Sequence, residues 1–215
     1  MTSSVSPAIQ QRYGVLATQP GSLSCGGAAT SCEATPGQTC VDLGCGRGRD
    51  VLVLAQKVGP YGHVFGIDGS PAMVEAAQSL AREAGLRNVT IRESSLEALS
   101  LADASVDWVV SNCALNHARD KARVWSEIAR VLTPGGRFLV SDIYAVEAIA
   151  EEHRNDPVAV AECWAGAETR PEYLAHVAAA GFDQVEVTSE RAPYRKQHAL
   201  LASFTLSGRK TAHAR

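Results

Sequence analysis

The stretch Thr39–Asp50, TCVDLGCGRGRD, constrains the fold of this chain more than any other part of the sequence. The apolar run at its start indicates a buried strand, and glycines then occupy alternate positions at Gly44, Gly46 and Gly48. Residues 51–58 predict a helix that a Gly-Pro pair ends. Glycine lets the backbone approach a ligand closely, and the first N–H groups of a helix point beyond the strand. This order of elements predicts a cofactor cradle.

Two acids near the glycine loop indicate which cofactor it holds. A dinucleotide fingerprint needs the spacing G-x-G-x-x-G, but Arg49 occupies the place of its third glycine. Asp42 would repel a pyrophosphate and attract an ammonium group. Asp68 ends the next apolar run, where an acid can accept hydrogen bonds from both ribose hydroxyls. S-adenosylmethionine (SAM) carries an ammonium group, a sulfonium and a ribose, so we expect a SAM site. The alternative is a tight turn with chance acids.

Strand and helix patterns alternate from residue 39 onward, which predicts a parallel sheet with helices on both faces. Strand patterns at 184–189 and 199–206, without a long helix between them, predict an antiparallel pair at one edge. The expected fold class is α/β, with a doubly wound, mostly parallel Rossmann-like sheet and an antiparallel edge. Three parts are expected: a flexible N-terminal lid or segment (1–35) that covers the core or stays mobile, a SAM-binding core (36–145), and a C-terminal part (146–215) that completes the sheet and the substrate site.

Ligands of such sheets bind beyond the carboxyl ends of the strands. Ser95 and Leu96 follow the third strand pattern, where an adenine would lie, and Asn112 ends the fourth. The residues expected to bind the cofactor are therefore Asp42, Gly44, Cys45, Gly46, Gly48, Asp50, Asp68, Gly69, Ser95, Leu96 and Asn112.

Composition excludes several classes of partner. The 215 residues include 20 Lys and Arg against 23 Asp and Glu, and the net charge is -3, so the basic surface that nucleic acid requires is absent. No apolar run is long enough to span a membrane, and the N-terminus lacks the order of a signal peptide. The expected location is the cytoplasm, where thiols stay reduced. The six cysteines therefore need an explanation other than a disulfide framework.

The segment Asp42–Asp50 resembles the first motif of class I SAM-dependent methyltransferases. Its Gly-Arg-Asp ending is similar to that of the arsenite methyltransferase family, and Tyr13-Gly14 followed by Cys25 resembles the start of that family. Four further segments share the resemblance: Gly62–Asp68, Ser111–Asn116, Glu162–Ala167 and Ala202–Leu206. The resemblance implies methyl transfer from SAM to trivalent arsenic, as arsenite or methylarsenite. Two alternatives remain open: methylation of another small acceptor (a thiol, a selenium or tellurium species, or an organic molecule), and a sensor without turnover.

In that family three cysteines bind trivalent arsenic, and the resemblance assigns this role, catalytic and ligating, to Cys25, Cys113 and Cys163. It implies for Cys32 a role as a spare ligand or as partner in a transient disulfide, with thioredoxin or glutathione as reductant. Trivalent arsenic is soft and suits thiolates, and its lone pair makes a general base unnecessary. Only sixteen residues separate Cys25 from Asp42, so part of the family's lid is expected to be missing.

Each cysteine also has an ordinary structural interpretation, because buried cysteine often acts as a small apolar residue. We expect Cys40 to lie in the core and Cys45 to contribute backbone only. Cys163, in a helical pattern, could serve packing. His117 is expected to be a surface or loop histidine rather than a ligand.

Overall fold

The computed structural model describes residues 6–19 and 26–212. The helices in these ranges are α1 (Pro7–Ala17), α2 (Ala28–Ser31), α3 (Arg49–Val58), α4 (Pro71–Glu83), α5 (Lys121–Val131), α6 (Glu151–Arg154), α7 (Pro157–Ala161) and α8 (Arg170–Ala179), with a 3-10 turn at Leu115–His117. The strands are β1 (Thr39–Leu43), β2 (His63–Asp68), β3 (Val89–Glu93), β4 (Val106–Asn112), β5 (Leu132–Ala145), β6 (Phe182–Glu190), β7 (Tyr194–Lys196) and β8 (Ala199–Lys210).

The strands form one sheet in the order β3-β2-β1-β4-β5-β8-β6, with β7 paired to β8. Strands β1 to β5 pair in parallel, whereas β8 runs antiparallel to both β5 and β6. This arrangement confirms the predicted fold class. The strand order reverses between β1 and β4, and such a reversal opens a crevice at the carboxyl ends of the two strands. Any ligand is therefore expected beside Leu43 and Asn112.

Apolar clusters cover both faces of the sheet. On one face Trp125 of α5 packs edge-on against Phe138 of β5, with ring centroids 5.0 Å apart, and Phe138 contacts Phe182 at 4.8 Å. On the other face Val51 and Leu54 of α3 are almost fully buried. Because each helix buries one apolar stripe, the sheet is held rigidly and its strand ends form a fixed platform.

The second half of the chain differs from the sequence pattern in two places. The pattern predicts a strand at 137–141, but the strand extends from Leu132 to Ala145, because Leu132 pairs with Val106 of β4 and β8 pairs from Arg137 to Ala145. The Ala-rich pattern of residues 146–180 predicts helix with a break near Gly166, but the segment contains three separate helices. Pro157 and Pro171 each occupy a first turn, where proline favours a new helix start.

The N-terminal part lies against the rest of the chain. The Ser6 hydroxyl caps α1 by accepting a hydrogen bond from the Ile9 N–H at 3.4 Å, and α1 packs against α4 and α7. The described part of α1 thus reaches both sides of the strand-end crevice. Among residues 6–19 and 26–212, no helix has the length and apolarity needed to cross a bilayer.

Candidate active site

The loop after β1 is tied to β2 and open to the crevice. The N–H groups of Gly44 and Cys45 both donate to the Ile67 carbonyl, at 2.8 and 2.9 Å. Gly44 has φ +71°, and a Cβ there would lie 2.2 Å from the Ala114 Cβ, so only glycine fits. Gly46 has φ +51°, and a Cβ there would meet no described heavy atom within 4 Å. The loop therefore presents bare backbone to the cavity at Gly46.

Asp68 fixes this loop from the end of β2. Its Oδ2 accepts the Gly46 N–H at 2.9 Å and its Oδ1 accepts the Ser70 N–H at 2.8 Å. Each carboxylate oxygen has lone pairs to spare, so Asp68 retains the capacity to accept from a ligand hydroxyl. Burial nevertheless raises the pKa of Asp68, and the backbone hydrogen bonds oppose that rise.

Asp42 and Asp50 complete an acidic cluster with Asp68. Asp42 is 2% exposed, and its Oδ2 has no hydrogen-bond partner among the described residues. Burial raises the pKa of Asp42, and the nearby Asp50 and Asp68 raise it further. Asp50 lies in the first turn of α3 and accepts a short hydrogen bond from the Asn112 side chain. A cation would relieve this repulsion, so the cluster fits the positive charges of SAM.

One cavity of about 730 Å³ brings most of the expected site residues together. Its lining includes Gly44, Cys45, Gly46, Asp50, Asp68, Gly69, Ser95, Leu96, Asn112, Cys113 and Cys163. Asp42 and Gly48, which the sequence also assigns to the cofactor site, are not part of the lining. Asp42 lies within β1 beneath the loop, and Gly48 packs on α4, where its added Cβ would be 3.0 Å from the Ala77 Cβ. Both residues therefore support the glycine loop on the side that faces away from the cavity.

Cys113 and Cys163 approach each other from separate parts of the chain. The Sγ of Cys163 lies 3.7 Å from the Cys113 carbonyl oxygen. Cys113 follows β4 with φ +52°, and Cys163 follows α7 with φ +71°, a conformation that residues other than glycine seldom adopt. Cys163 is therefore in a turn rather than in the expected helix. Such strained backbone persists only where the surroundings determine it, and it concentrates at functional sites.

His117 contacts Cys163 directly, contrary to the expectation of a surface histidine. The His117 Nε2 lies 2.9 Å from the Cys163 Sγ and 2.7 Å from the Tyr13 hydroxyl of α1. Its Nδ1 lies 3.2 Å from the Val160 carbonyl. Burial, together with nearby cations such as Arg12, lowers the pKa of His117 to about 4, so the ring is neutral at pH 7.

The sequence contained only weak signals for Tyr13 and His117. Only the family resemblance distinguishes Tyr13-Gly14, and only the position after Asn116 distinguishes His117. Tyr13 and His117 are 104 positions apart in the chain, so no local sequence pattern could predict their contact. Burial and the adjacent Cys163 thiol raise the pKa of Tyr13, so its hydroxyl remains protonated.

The remaining cysteines lie elsewhere. Cys32 is 2% exposed and packs beside Cys40 in the core rather than in the cavity, so the structure does not support Cys32 as a spare arsenic ligand. The Cys45 Sγ points at the position of Gly66, where an added Cβ would lie 3.1 Å away, so the cysteine offers its backbone to the cavity. Cys25 lies outside the described residues.

Comparison with known proteins agrees with this geometry. The pattern of the family described as "Methyltransferase domain" matches residues 34–197. The chain therefore belongs to the class I SAM-dependent methyltransferase family, and SAM is its cofactor. The crystal structure of CrArsM, an arsenic(III) S-adenosylmethionine methyltransferase from Chlamydomonas reinhardtii, superposes with a TM-score of 0.78 at 32% identity, covering 95% of this chain and 74% of that chain.

Sequence relatives narrow the similarity and confirm the resemblance to arsenite methyltransferases. An arsenite methyltransferase of Halobacterium salinarum is 39% identical over 165 residues, which is 77% of this chain and 42% of the relative. The arsenite methyltransferase of Homo sapiens is 41% identical over 136 residues, which is 59% of this chain and 36% of the relative. The chain thus spans about two fifths of the length of these curated relatives.

Proposed function

We propose that this protein transfers the methyl group of SAM to trivalent arsenic, as arsenite or methylarsenite, bound by the thiolates of Cys113 and Cys163. The observation that carries the proposal is the convergence of these two cysteines on the cavity that also contains the glycine loop and Asp68. The names of the similar proteins, arsenite methyltransferases and an arsenic(III) methyltransferase, support the choice of substrate.

The donor set suits arsenic chemically. Thiolates are soft ligands and select soft acceptors over hard ones such as Mg²⁺. Arsenic bound to three ligands keeps a lone pair, so the nucleophile carries no proton and no general base is needed. When bound, SAM supplies a methyl group activated by the sulfonium. The contribution of the protein is then mostly positioning, which can supply about 7–11 kcal/mol when reacting groups are well aligned.

We propose Cys25 as the third thiolate. Gly26, the next residue, packs so closely on β4 and β5 that a Cβ would lie 2.4 Å from the Asn112 Oδ1 and 2.4 Å from the Ser141 Cβ. The Ser141 carbonyl in turn accepts the N–H of Cys113 at 2.8 Å. The residue that follows Cys25 in the chain is therefore packed beside the strand that leads into Cys113, and this contact of Gly26 supports the proposal.

The proposed roles of the three parts follow from these contacts. Residues 1–35 would serve as a lid, because α1 contacts both α4 and α7 and places Tyr13 beside Cys163. Residues 36–145 would bind SAM, and 146–215 would complete the sheet and supply Cys163. A site of reduced thiols requires a reducing compartment, for which we propose the cytoplasm, with thioredoxin or glutathione as the reductant.

Methyl transfer from labelled SAM tests the proposal, with each Cys→Ser variant assayed on arsenite and on methylarsenite. Cys113→Ser and Cys163→Ser should lose most activity on both substrates, because each leaves arsenic with one fewer thiolate. Cys25→Ser should lose activity on arsenite but retain it on methylarsenite, since the methyl group already fills one coordination position.

Cys45→Ser is the matched control, because its side chain faces the core rather than the cavity, and it should keep most activity. Wild-type rates on arsenite in both Cys113→Ser and Cys163→Ser, or a wild-type protein inactive on every trivalent arsenical, would overturn the proposal. Selenite, tellurite and small thiols in the same assay then identify another acceptor.

A further inference from the structure

The imidazole of His117 is a fixed hydrogen-bond acceptor within the proposed arsenic site. Its Nδ1 lies 3.2 Å from the Val160 carbonyl, and a carbonyl oxygen only accepts, so Nδ1 carries the ring proton. Nε2 therefore bears the lone pair and faces two donors, the Tyr13 hydroxyl at 2.7 Å and the Cys163 thiol at 2.9 Å. The single lone pair of Nε2 is thus shared between the hydroxyl of Tyr13 and the thiol of Cys163.

Binding of arsenite to two cysteines removes one of these donors. When As(OH)3 reacts with two thiols, two S–As bonds form and two As–O bonds break, and each thiol proton leaves with a hydroxide as water. No oxidation state changes. The product retains one As–OH group, and Cys163 no longer has a proton to donate. A hydroxyl group on the arsenic atom can then donate to the His117–Tyr13 pair in place of the lost thiol hydrogen.

We infer that His117 determines specificity by accepting a hydrogen bond from the hydroxyl of arsenite held by Cys113 and Cys163, before a third thiolate replaces that hydroxyl. The inference rests on the proposed function and adds the hydrogen bond by which the site distinguishes arsenite from methylarsenite. Methylarsenite bound to the same two thiolates has a methyl group at that position and no hydroxyl to donate. A site built to bind a hydroxyl discriminates strongly against an analogue without one.

Two further contacts hold His117 in place for this role. The Asn116 side chain donates to the Asp142 Oδ1 at 2.8 Å and to the Ile143 carbonyl at 2.7 Å, which anchors the 3-10 turn on β5. The Tyr13 and His117 rings meet edge to face, with centroids 5.2 Å apart. The acceptor is therefore positioned before the substrate arrives.

Calorimetric titration with sodium arsenite and with methylarsenite tests the inference in a Cys25→Ser background, where the third thiolate cannot displace the hydroxyl. Adding His117→Leu should raise the arsenite dissociation constant at least about tenfold and leave the methylarsenite value within about twofold. His117→Gln, which retains a side-chain oxygen acceptor, should recover part of the arsenite affinity.

His63→Leu is the control for the loss of a histidine elsewhere in the molecule. His63 is half-buried at the amino end of β2, the end opposite the strand-end crevice, and its Nε2 is 2.9 Å from the Thr90 hydroxyl. It should change neither dissociation constant. Equal losses for arsenite and methylarsenite in His117→Leu would assign His117 a merely structural role and overturn the inference while leaving the proposed function intact. A wild-type chain that binds neither arsenical would overturn both.

Discussion

Asp42 is the residue at which stability and ligand binding conflict most directly. It is buried under the glycine loop, one of its oxygens has no partner among the described residues, and two other acids lie nearby. An acid whose pKa is raised in the folded state contributes stability below its unfolded pKa, and that stability is lost as pH rises through the folded value. Above the unfolded pKa, folding must either protonate the Asp42 carboxyl or bury its charge beside two other acids, so the ligand-free protein loses stability as pH rises.

Asp42→Asn should accordingly raise the stability of the ligand-free protein by about 1–2 kcal/mol at pH 8, with a smaller gain near pH 5, where Asp42 is more protonated. Thermal unfolding at the two pH values measures the difference. The same variant and Asp68→Asn should each bind SAM at least about tenfold more weakly in calorimetry, because each removes one negative charge from the acidic cluster beside the cavity. Asp183→Asn, exposed on β6, is the control. Unchanged SAM affinity in both variants would contradict the assigned roles.

At the scale of elements, the turn Glu162–Ala167 decides where the second thiol lies. This turn rests on the 3-10 turn, because a Cβ on Gly166 would lie 2.0 Å from the Asn116 carbonyl oxygen. Asn116 is itself fully buried, and its side chain donates a hydrogen bond to the Ile143 carbonyl of β5, so its backbone cannot shift away from the turn. The close approach of two backbones thus sets the position of Cys163.

Gly166→Ala should push this turn away and move Cys163. We expect methyl transfer to arsenite to fall at least about tenfold, with SAM affinity within about twofold and a stability loss of about 1–3 kcal/mol. Gly181→Ala is the matched control: it has φ +79° with no described heavy atom within 4 Å of the added Cβ, so it costs backbone strain of about 1–2 kcal/mol far from Cys163. Equal activity in the two variants would show that the contact does not position Cys163.

For the whole molecule, Glu127 makes a contribution to stability that depends on pH. The residue is 3% exposed, and its carboxylate accepts the Leu99 N–H at 2.7 Å and two Arg130 hydrogen bonds at 2.8 Å. The Arg130 hydrogen bonds, together with the Leu99 N–H, lower the pKa of Glu127. Stability from an acid of lowered pKa is present above its unfolded pKa and is lost as pH falls through the folded value.

Glu127→Gln should therefore cost about 2 kcal/mol at pH 7, and the difference from wild type should shrink below about pH 4, where the wild-type carboxyl becomes protonated. Urea unfolding across this range measures both quantities. Glu186→Gln, on the exposed face of β6, should cost little at any pH. A Glu127→Gln deficit that is constant with pH would indicate a packing defect rather than lost charge.

Local sequence patterns were sufficient to predict much of the fold and the cofactor. The strand, glycine loop and helix at Thr39–Val58, and the acid that ends β2, lie where the sequence predicts them. The antiparallel edge was also predicted. These features depend on backbone constraints and on periodicity over a few residues, which a sequence displays directly. The glycine loop and its two acids were enough to indicate the cofactor.

Only the tertiary structure decided the interior of the candidate site. In the structure Asp42 lies behind the cavity wall, and Cys32 lies in the core, apart from Cys113 and Cys163. Cys163 is in a strained turn. The tertiary structure also brings together Tyr13 and His117, which are 104 positions apart in the chain. Such placements depend on the pairing of β8 with β5, on proline-defined helix starts and on backbone contacts between distant segments. Those interactions have no local signature, because their energies arise only when separate elements pack.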